Sequence, residues 1–98
     1  MGIKEWRAEI DAIDNELLRL VNRRARLAQR VGRIKISAGL PLSDPERERE
    51  VLVRAQRINA GPLDDRAIAR IFRRIIHESR RVQAGTEDLL EMVQEVAG

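Results

Sequence analysis

Residues 3–38 read IKEWRAEIDAIDNELLRLVNRRARLAQRVGRIKISA and carry the longest regular pattern in the chain. Their apolar residues recur at alternating steps of three and four, which places them on one side of an α-helix. This series comprises Ile3, Trp6, Ile10, Ile13, Leu17, Leu20, Leu27, Val31, Ile34 and Ala38. Position 24, where the series requires another apolar residue, is an arginine. The stretch therefore predicts one long amphipathic helix whose apolar seam has a single charged interruption.

The length of this helix has a consequence for assembly. A helix of about 35 residues is ~50 Å long, since each residue adds ~1.5 Å. A compact domain of 98 residues has a radius of gyration of only ~13 Å and a diameter of roughly 30 Å. The helix must extend beyond its own core, and its apolar seam continues along the whole length. We therefore expect a homodimer in which the long helices pack along each other. In the alternative, the helix bends near Gly32 and folds back.

Proline and glycine divide the rest of the chain into further helical segments. Asp44 followed by Pro45 is typical of a helix N-terminus. A last stretch either continues past Gly85 or restarts at Thr86. The expected fold is all-α, a three-helix subunit forming a single domain over residues 1–98, with helices at about 3–38, 45–59, 65–84 and in part 86–97.

Composition excludes several classes of protein. The chain has no cysteine, which excludes disulfides and thiolate metal sites. Its apolar runs are too short to span a membrane, and its mixed N-terminus is unlike a signal peptide, so we expect a cytoplasmic protein. The two aromatic residues, Trp6 and Phe72, are too few for a β-rich fold or for base stacking. Charged residues make up 36% of the chain with a net charge of +3, which indicates a mixed surface with a slight basic excess.

Each predicted helix has polar residues where its core-facing side should be apolar. Arg24 lies on the seam, and Lys35, 11 residues later, returns to within about 20° of the same face, ~16 Å along the axis. The other polar residues at such positions are Asp44, Arg47 and Glu48 in the second helix and Ser79 and Gln83 in the third. For any one of them, exposure to solvent or pairing with a neighbour is the ordinary explanation. Because a buried guanidinium without an anion is costly, one polar pocket shared by the three helices explains the set more simply.

The residue types in this pocket limit its chemistry. The one histidine, His77, projects away from the stripe, so no metal-ligand set and no serine–histidine pair with Ser79 is predicted. What remains is a site that binds a small polyanion and stabilises charge by position. Arg7 lies 17 residues before Arg24, or ~25 Å along a straight helix. It cannot reach the pocket of its own chain, but in an antiparallel dimer it would reach the partner's.

The chain resembles the all-helical (AroQ-type) chorismate mutases in three stretches: WRAEIDAIDNELLRLVNRRARLAQRVGRIK (6–35), SDPERERE (43–50) and GPLDDRAIARIFRRIIHESRRVQ (61–83). The resemblance covers about residues 5–84 and is specific, because polar residues match in type and order on all three helices. It implies an intertwined homodimer of three-helix subunits. It also implies the Claisen rearrangement of chorismate to prephenate in phenylalanine and tyrosine biosynthesis, without cofactor or metal.

The same resemblance implies a role for each pocket residue. Lys35 and Gln83 are the expected catalytic residues, which donate hydrogen bonds to the ether oxygen of chorismate. The expected substrate-binding residues are Arg24, Asp44, Arg47, Glu48 and Ser79, together with Arg7 of the partner subunit. Within that set, the resemblance implies that Glu48 holds the ring hydroxyl and that Arg47 orients Glu48.

Other functions remain open at this point. Isochorismate-pyruvate lyases resemble the same scaffold, and their products, salicylate and pyruvate, distinguish them from a mutase. Arginine pairs such as Arg23-Arg24 would suit a nucleic-acid-binding dimer, although acidic residues are interleaved throughout. A purely structural coiled-coil dimer would leave Arg24, Ser79 and Gln83 without a role. The sequence also leaves open whether the chain is a free-standing enzyme or one domain of a fused polypeptide.

Overall fold

A computed structural model of the chain describes residues 2–97, with side chains for residues 2–85. It contains the helices α1 (Ile3–Ser37), α2 (Pro45–Ile58) and α3 (Asp65–Ala97), and the described residues include no strand. The prediction of an all-α subunit with a very long first helix is confirmed. Because α1 is continuous through Gly32, the alternative in which it bends there and folds back is wrong. The third helix continues through Gly85.

A glycine-closed turn ends α1. Gly39 has a φ angle of 70°, a conformation that side chains with a Cβ disfavour. The N–H of Gly39 donates to the carbonyl of Ile36 at 3.1 Å, and the N–H of Leu40 donates to the carbonyl of Lys35 at 2.8 Å. These two bonds satisfy the last carbonyls of the helix and reverse the chain. The reversal brings the start of α2 back beside the end of α1.

Side-chain caps fix the starts of the other two helices. The Asp44 carboxylate accepts a hydrogen bond from the N–H of Arg47 at 3.1 Å, with Pro45 in the first helical position. The Asp64 carboxylate accepts one from the N–H of Ala67 at 2.8 Å. Each cap satisfies an N–H that the helix itself leaves unpaired. The two bonds set the residues at which α2 and α3 begin.

The subunit is elongated and has little interior. Helix α3 packs against both α1 and α2, and the whole measures 63 × 28 × 15 Å. Its radius of gyration is 17.6 Å, against ~13 Å for a compact domain of this size. Among the described residues, the buried hydrophobic ones are Val51 and Ala69. The chain therefore encloses far less apolar surface than its composition provides.

The apolar seam of α1 is left uncovered. Trp6 retains 53% of its possible exposure and Ile13 58%. Others that remain exposed along α1 are Ile3, Ile10, Leu17, Leu20, Leu27, Val31 and Ile34. Within the described residues, no helix combines the length and apolar character that a membrane span requires.

Replacing Gly39 with alanine should destabilise the fold, because a Cβ at this φ angle costs about 1–2 kcal/mol. Urea unfolding at one fixed protein concentration measures the change. Gly85→Ala is the control, since nothing lies within 4 Å of a Cβ at that helical position. That variant should be more stable by about 0.5–1 kcal/mol. Equal stabilities for the two variants would contradict the assigned role of the turn.

Candidate active site

A cavity of about 270 Å³ lies where the three helices meet. Its polar lining comprises Arg24 and Lys35 from α1, Asp44, Arg47 and Glu48 from α2, and Ser79, Arg80 and Gln83 from α3. Four of these side chains are cations and two are carboxylates, a net charge of +2. Apolar side chains, among them Val31, Val51 and Ile76, form the rest of the wall. The cavity therefore has the composition of a site for a small dianion with an apolar body.

Arg24 is the cation whose charge is least compensated. Its Nη1 donates to the Ser79 hydroxyl at 3.0 Å, and Ser79 is buried, with 8% exposure. Within residues 2–85 no carboxylate forms an ion pair with Arg24. Burial lowers the pKa of the Arg24 guanidinium, and the nearby positive charges of Arg47 and Arg54 lower this pKa further. The fold thus presents a half-buried positive charge that an anion would stabilise.

Gln83 is fixed against the backbone of α1. Its Nε2 donates to the carbonyl of Ala28 at 2.8 Å. A side-chain amide nitrogen carries two N–H groups, so a second donor remains after this bond is made. The contact depends on Gly32, because a Cβ at that position would lie 3.2 Å from Gln83 Cγ and 3.6 Å from Leu42 Cδ2. Gly32 is therefore where α3 and the loop after α1 approach the helix.

Asp44 joins the end of α1 to the start of α2. One carboxylate oxygen accepts from the N–H of Arg47, and the other lies 3.6 Å from Lys35 Nζ. The Lys35 side chain is mostly buried, with 20% exposure. Because 3.6 Å is longer than an ordinary hydrogen bond, the ammonium retains donors for a ligand. The Asp44 side chain thus caps one helix and positions the cation of another.

The ion pairs at the start of α2 differ from those that the sequence implied. The resemblance implies that Arg47 orients Glu48, whereas in this structure Arg47 Nη1 donates to Glu50 at 3.2 Å. Glu48 instead forms an ion pair with Arg80 of α3. The orienting role that the resemblance implies for Arg47 stays a prediction, and in this structure the Arg47 guanidinium pairs with the next turn of its own helix. Sequence reasoning missed Arg80, which follows Ser79 directly and by spacing alone is an ordinary surface arginine.

Seven of the eight predicted site residues therefore line one cavity. The eighth, Arg7, lies on the exposed N-terminal part of α1 and is not among the lining residues. This agrees with the helical spacing, which places Arg7 ~25 Å from Arg24. His77 is exposed and also lies outside the cavity lining. Besides Arg80, helical spacing also gave no reason to place Gly32 and Leu42 at the site, where Gly32 lies close to both Leu42 and Gln83.

Comparisons with known proteins agree on one family. Residues 6–84 match the family model described as chorismate mutase type II. The chain is 49% identical over 78 residues to the bifunctional chorismate mutase/prephenate dehydratase of Aquifex aeolicus, a match covering 76% of this chain and 22% of that protein. It is 34% identical over 82 residues to the chorismate mutase of Methanocaldococcus jannaschii, covering 83% of each.

Structural similarity points the same way. The structure of chorismate mutase (form II) from Thermus thermophilus superposes with a TM-score of 0.82 at 38% identity. That match covers 84% of this chain and 93% of the other. The chain spans 22% and 21% of the length of the first two bifunctional relatives it matches.

Replacing Arg24 with leucine should stabilise the unliganded protein. At pH 7 the guanidinium is charged in both the folded and the unfolded chain. A lowered pKa in the folded state is therefore a cost to folding that is present in full at that pH. We expect the melting temperature to rise, because leucine removes the partly buried positive charge. Malonate, a small dicarboxylate, should raise the melting temperature of the unsubstituted chain and not that of the variant.

The matched control is Arg23→Leu, because Arg23 is the exposed neighbour of Arg24. This variant should keep the response to malonate and leave the melting temperature nearly unchanged. A lower melting temperature for Arg24→Leu than for Arg23→Leu would contradict an uncompensated charge at position 24.

Proposed function

The chain belongs to the chorismate mutase type II family, and we propose that it rearranges chorismate to prephenate. The observation that carries this proposal is the cavity that Arg24, Lys35 and Gln83 all line, whose charged side chains sum to +2. A dicarboxylate with an apolar ring complements the positive charge of that cavity and the apolar part of its wall.

The reaction suits a site without a general base or a nucleophile. The rearrangement breaks one carbon–oxygen bond and forms one carbon–carbon bond within the same molecule. No proton enters or leaves, and product and substrate are isomers. The site therefore has to bind the folded conformer of chorismate and stabilise the charge that develops as the bond breaks.

Arg24 supplies binding energy for one substrate carboxylate. A guanidinium binds a carboxylate through two parallel N–H donors. One nitrogen of Arg24, Nη1, already donates to the neutral Ser79 hydroxyl. Since no carboxylate of the described chain pairs with Arg24, the substrate would provide the missing anion. Part of the free-energy cost of burying the Arg24 guanidinium would then be recovered on binding.

Lys35 and Gln83 supply the stabilisation that grows along the reaction. As the carbon–oxygen bond breaks, the ether oxygen gains negative charge, and donors aimed at it bind the transition state more tightly than the substrate. Lys35 has donors free of Asp44, and Gln83 has one N–H beyond its bond to Ala28. Losing one donor of this kind costs on the order of 3 kcal/mol.

We further propose that the active form is a homodimer in which Arg7 enters the partner subunit's cavity. The exposed seam of α1, from Trp6 to Ile34, provides the apolar surface for that association. In a two-fold arrangement of antiparallel helices, the N-terminal part of one α1 lies beside the C-terminal part of the other. Arg7 would then add a second guanidinium for the second substrate carboxylate.

Incubation of the purified chain with chorismate tests the proposed function directly. Prephenate should accumulate as chorismate disappears, with no added cofactor or metal. Salicylate and pyruvate from isochorismate, without turnover of chorismate, would instead indicate the lyase.

A cytoplasmic location is part of the same proposal, and assay of fractionated cells tests it.

Gln83→Glu should make activity depend on pH, with activity at low pH and very little at pH 8. A carboxylate has no donor for the ether oxygen, whereas the protonated acid has one. The ordinary glutamic acid pKa is about 4.3, and burial raises it. The variant's kcat should therefore be very low at pH 8 and rise as the pH falls through the pKa of the new carboxyl.

The matched control is Gln56→Glu, because Gln56 bonds to the carbonyl of Asp65 and does not line the cavity. Its pH profile should follow that of the unsubstituted chain. Full activity of Gln83→Glu at pH 8 would exclude hydrogen-bond donation by residue 83.

Mixing two inactive variants tests the shared site. Arg7→Ala and Lys35→Ala should each lose activity by orders of magnitude while remaining folded dimers. In a heterodimer of the two, one site combines intact Lys35 with intact Arg7 of the partner subunit, and the other site lacks both. A random mixture should therefore recover about a quarter of the unsubstituted activity, from half the dimers with half their sites. No recovery after subunit exchange would show that Arg7 does not act across the interface.

A further inference from the structure

Arg80 and Glu48 form an ion pair to which the proposed mechanism assigns no part. Glu48 lies in the first turns of α2, and Arg80 lies in α3 next to the buried Ser79. The two side chains meet at the cavity wall and are partly shielded, with 33% of Glu48 and 41% of Arg80 exposed. Both line the cavity. The pair therefore links two helices at the edge of the site.

The cations of the cavity differ in what neutralises them. Among the side chains of residues 2–85, Arg24 bonds to a neutral hydroxyl and forms no ion pair, and Lys35 lies 3.6 Å from its carboxylate, so both retain charge for a ligand. Arg47, which also lines the cavity, pairs with Glu50 of its own helix at 3.2 Å. Arg80, in contrast, has a carboxylate of its own inside the cavity lining. The charge of Arg80 is therefore neutralised by Glu48 within the protein. In this respect Arg80 differs from Arg24 and Lys35, which are available to bind an anion directly.

Glu48 without such a partner would harm the site. A free carboxylate at the wall would repel a dicarboxylate substrate, and a glutamate side chain in an exposed first turn has several accessible rotamers. An arginine fork holds a carboxylate in a defined plane while leaving lone pairs for a further donor. The other arginine that could serve Glu48, Arg47, is engaged elsewhere.

We propose that Arg80 is a positioning residue, which holds the Glu48 carboxylate at the cavity wall and neutralises it, so that Glu48 accepts a hydrogen bond from the hydroxyl of the substrate. This inference rests on the proposed function, and it assigns to Arg80 the orienting role that the resemblance implied for Arg47. Arg80 acts through Glu48 and does not itself contact the substrate.

A double-mutant cycle in steady-state kinetics tests the proposal. Arg80→Ala should raise KM by about tenfold with a small change in kcat, because a hydrogen bond made equally in ground and transition states is lost. In a Glu48→Ala background, the same substitution should change KM by less than about twofold, since the group that Arg80 positions is gone. Arg80→Lys should recover part of the loss by keeping the charge without the fork.

Arg81→Ala is the matched control, because Arg81 is the exposed neighbour that pairs with Glu78 at 2.9 Å. It should leave KM unchanged, and urea unfolding should show similar stability for the Arg80→Ala and Arg81→Ala variants. An equal rise in KM with and without Glu48 would overturn the proposal, because Arg80 would then act independently. An unchanged KM in Arg80→Ala would overturn it as well. Turnover of chorismate by the unsubstituted chain, measured in the same series, separates failure of this inference from failure of the proposed function.

Discussion

The constraint on which this molecule depends is that α1 is longer than the chain can enclose. A helix of 35 residues on a 98-residue chain leaves part of its apolar seam without a covering element. The structure accommodates this by packing α3 against α1 and α2 and by leaving residues from Trp6 to Ile34 exposed along α1. The cavity lies along the C-terminal half of α1, between Arg24 and Lys35, where α2 and α3 supply the rest of its lining. Arg7, at the opposite end, is accordingly remote from the cavity of its own chain.

Within that cavity, electrostatics and stability work against each other. The fold places four cations and two carboxylates around a cavity of about 270 Å³. Among the described side chains, the Arg24 guanidinium bonds to the Ser79 hydroxyl and to no carboxylate. Burial lowers the pKa of Arg24, which means that the fold disfavours the charged form of this side chain. Such an arrangement is expected in a binding site, where an anion offsets the free-energy cost of burying an unpaired cation on folding. A chain selected only for stability would place an apolar residue at position 24.

Several residues serve the site without carrying its chemistry. Asp44 caps α2 and faces Lys35, so one carboxylate sets both a helix start and the place of a cation. Gly32 has no side chain, which allows Gln83 to approach α1 and bond to the Ala28 carbonyl. Precise placement of this kind would matter in the proposed unimolecular reaction, in which such a site acts through position and charge.

The sequence by itself determined the helices, the apolar seam and the inward-facing polar residues, because these follow from periodicity along one chain. That is why Arg24, Lys35, Ser79 and Gln83 could be assigned to a shared pocket from their spacing alone. Only the tertiary structure decided which side chains pair across helices. The Glu48–Arg80 pair and the close approach at Gly32 depend on how far each helix is rotated and shifted against its neighbours, and spacing within one helix carries no information on either.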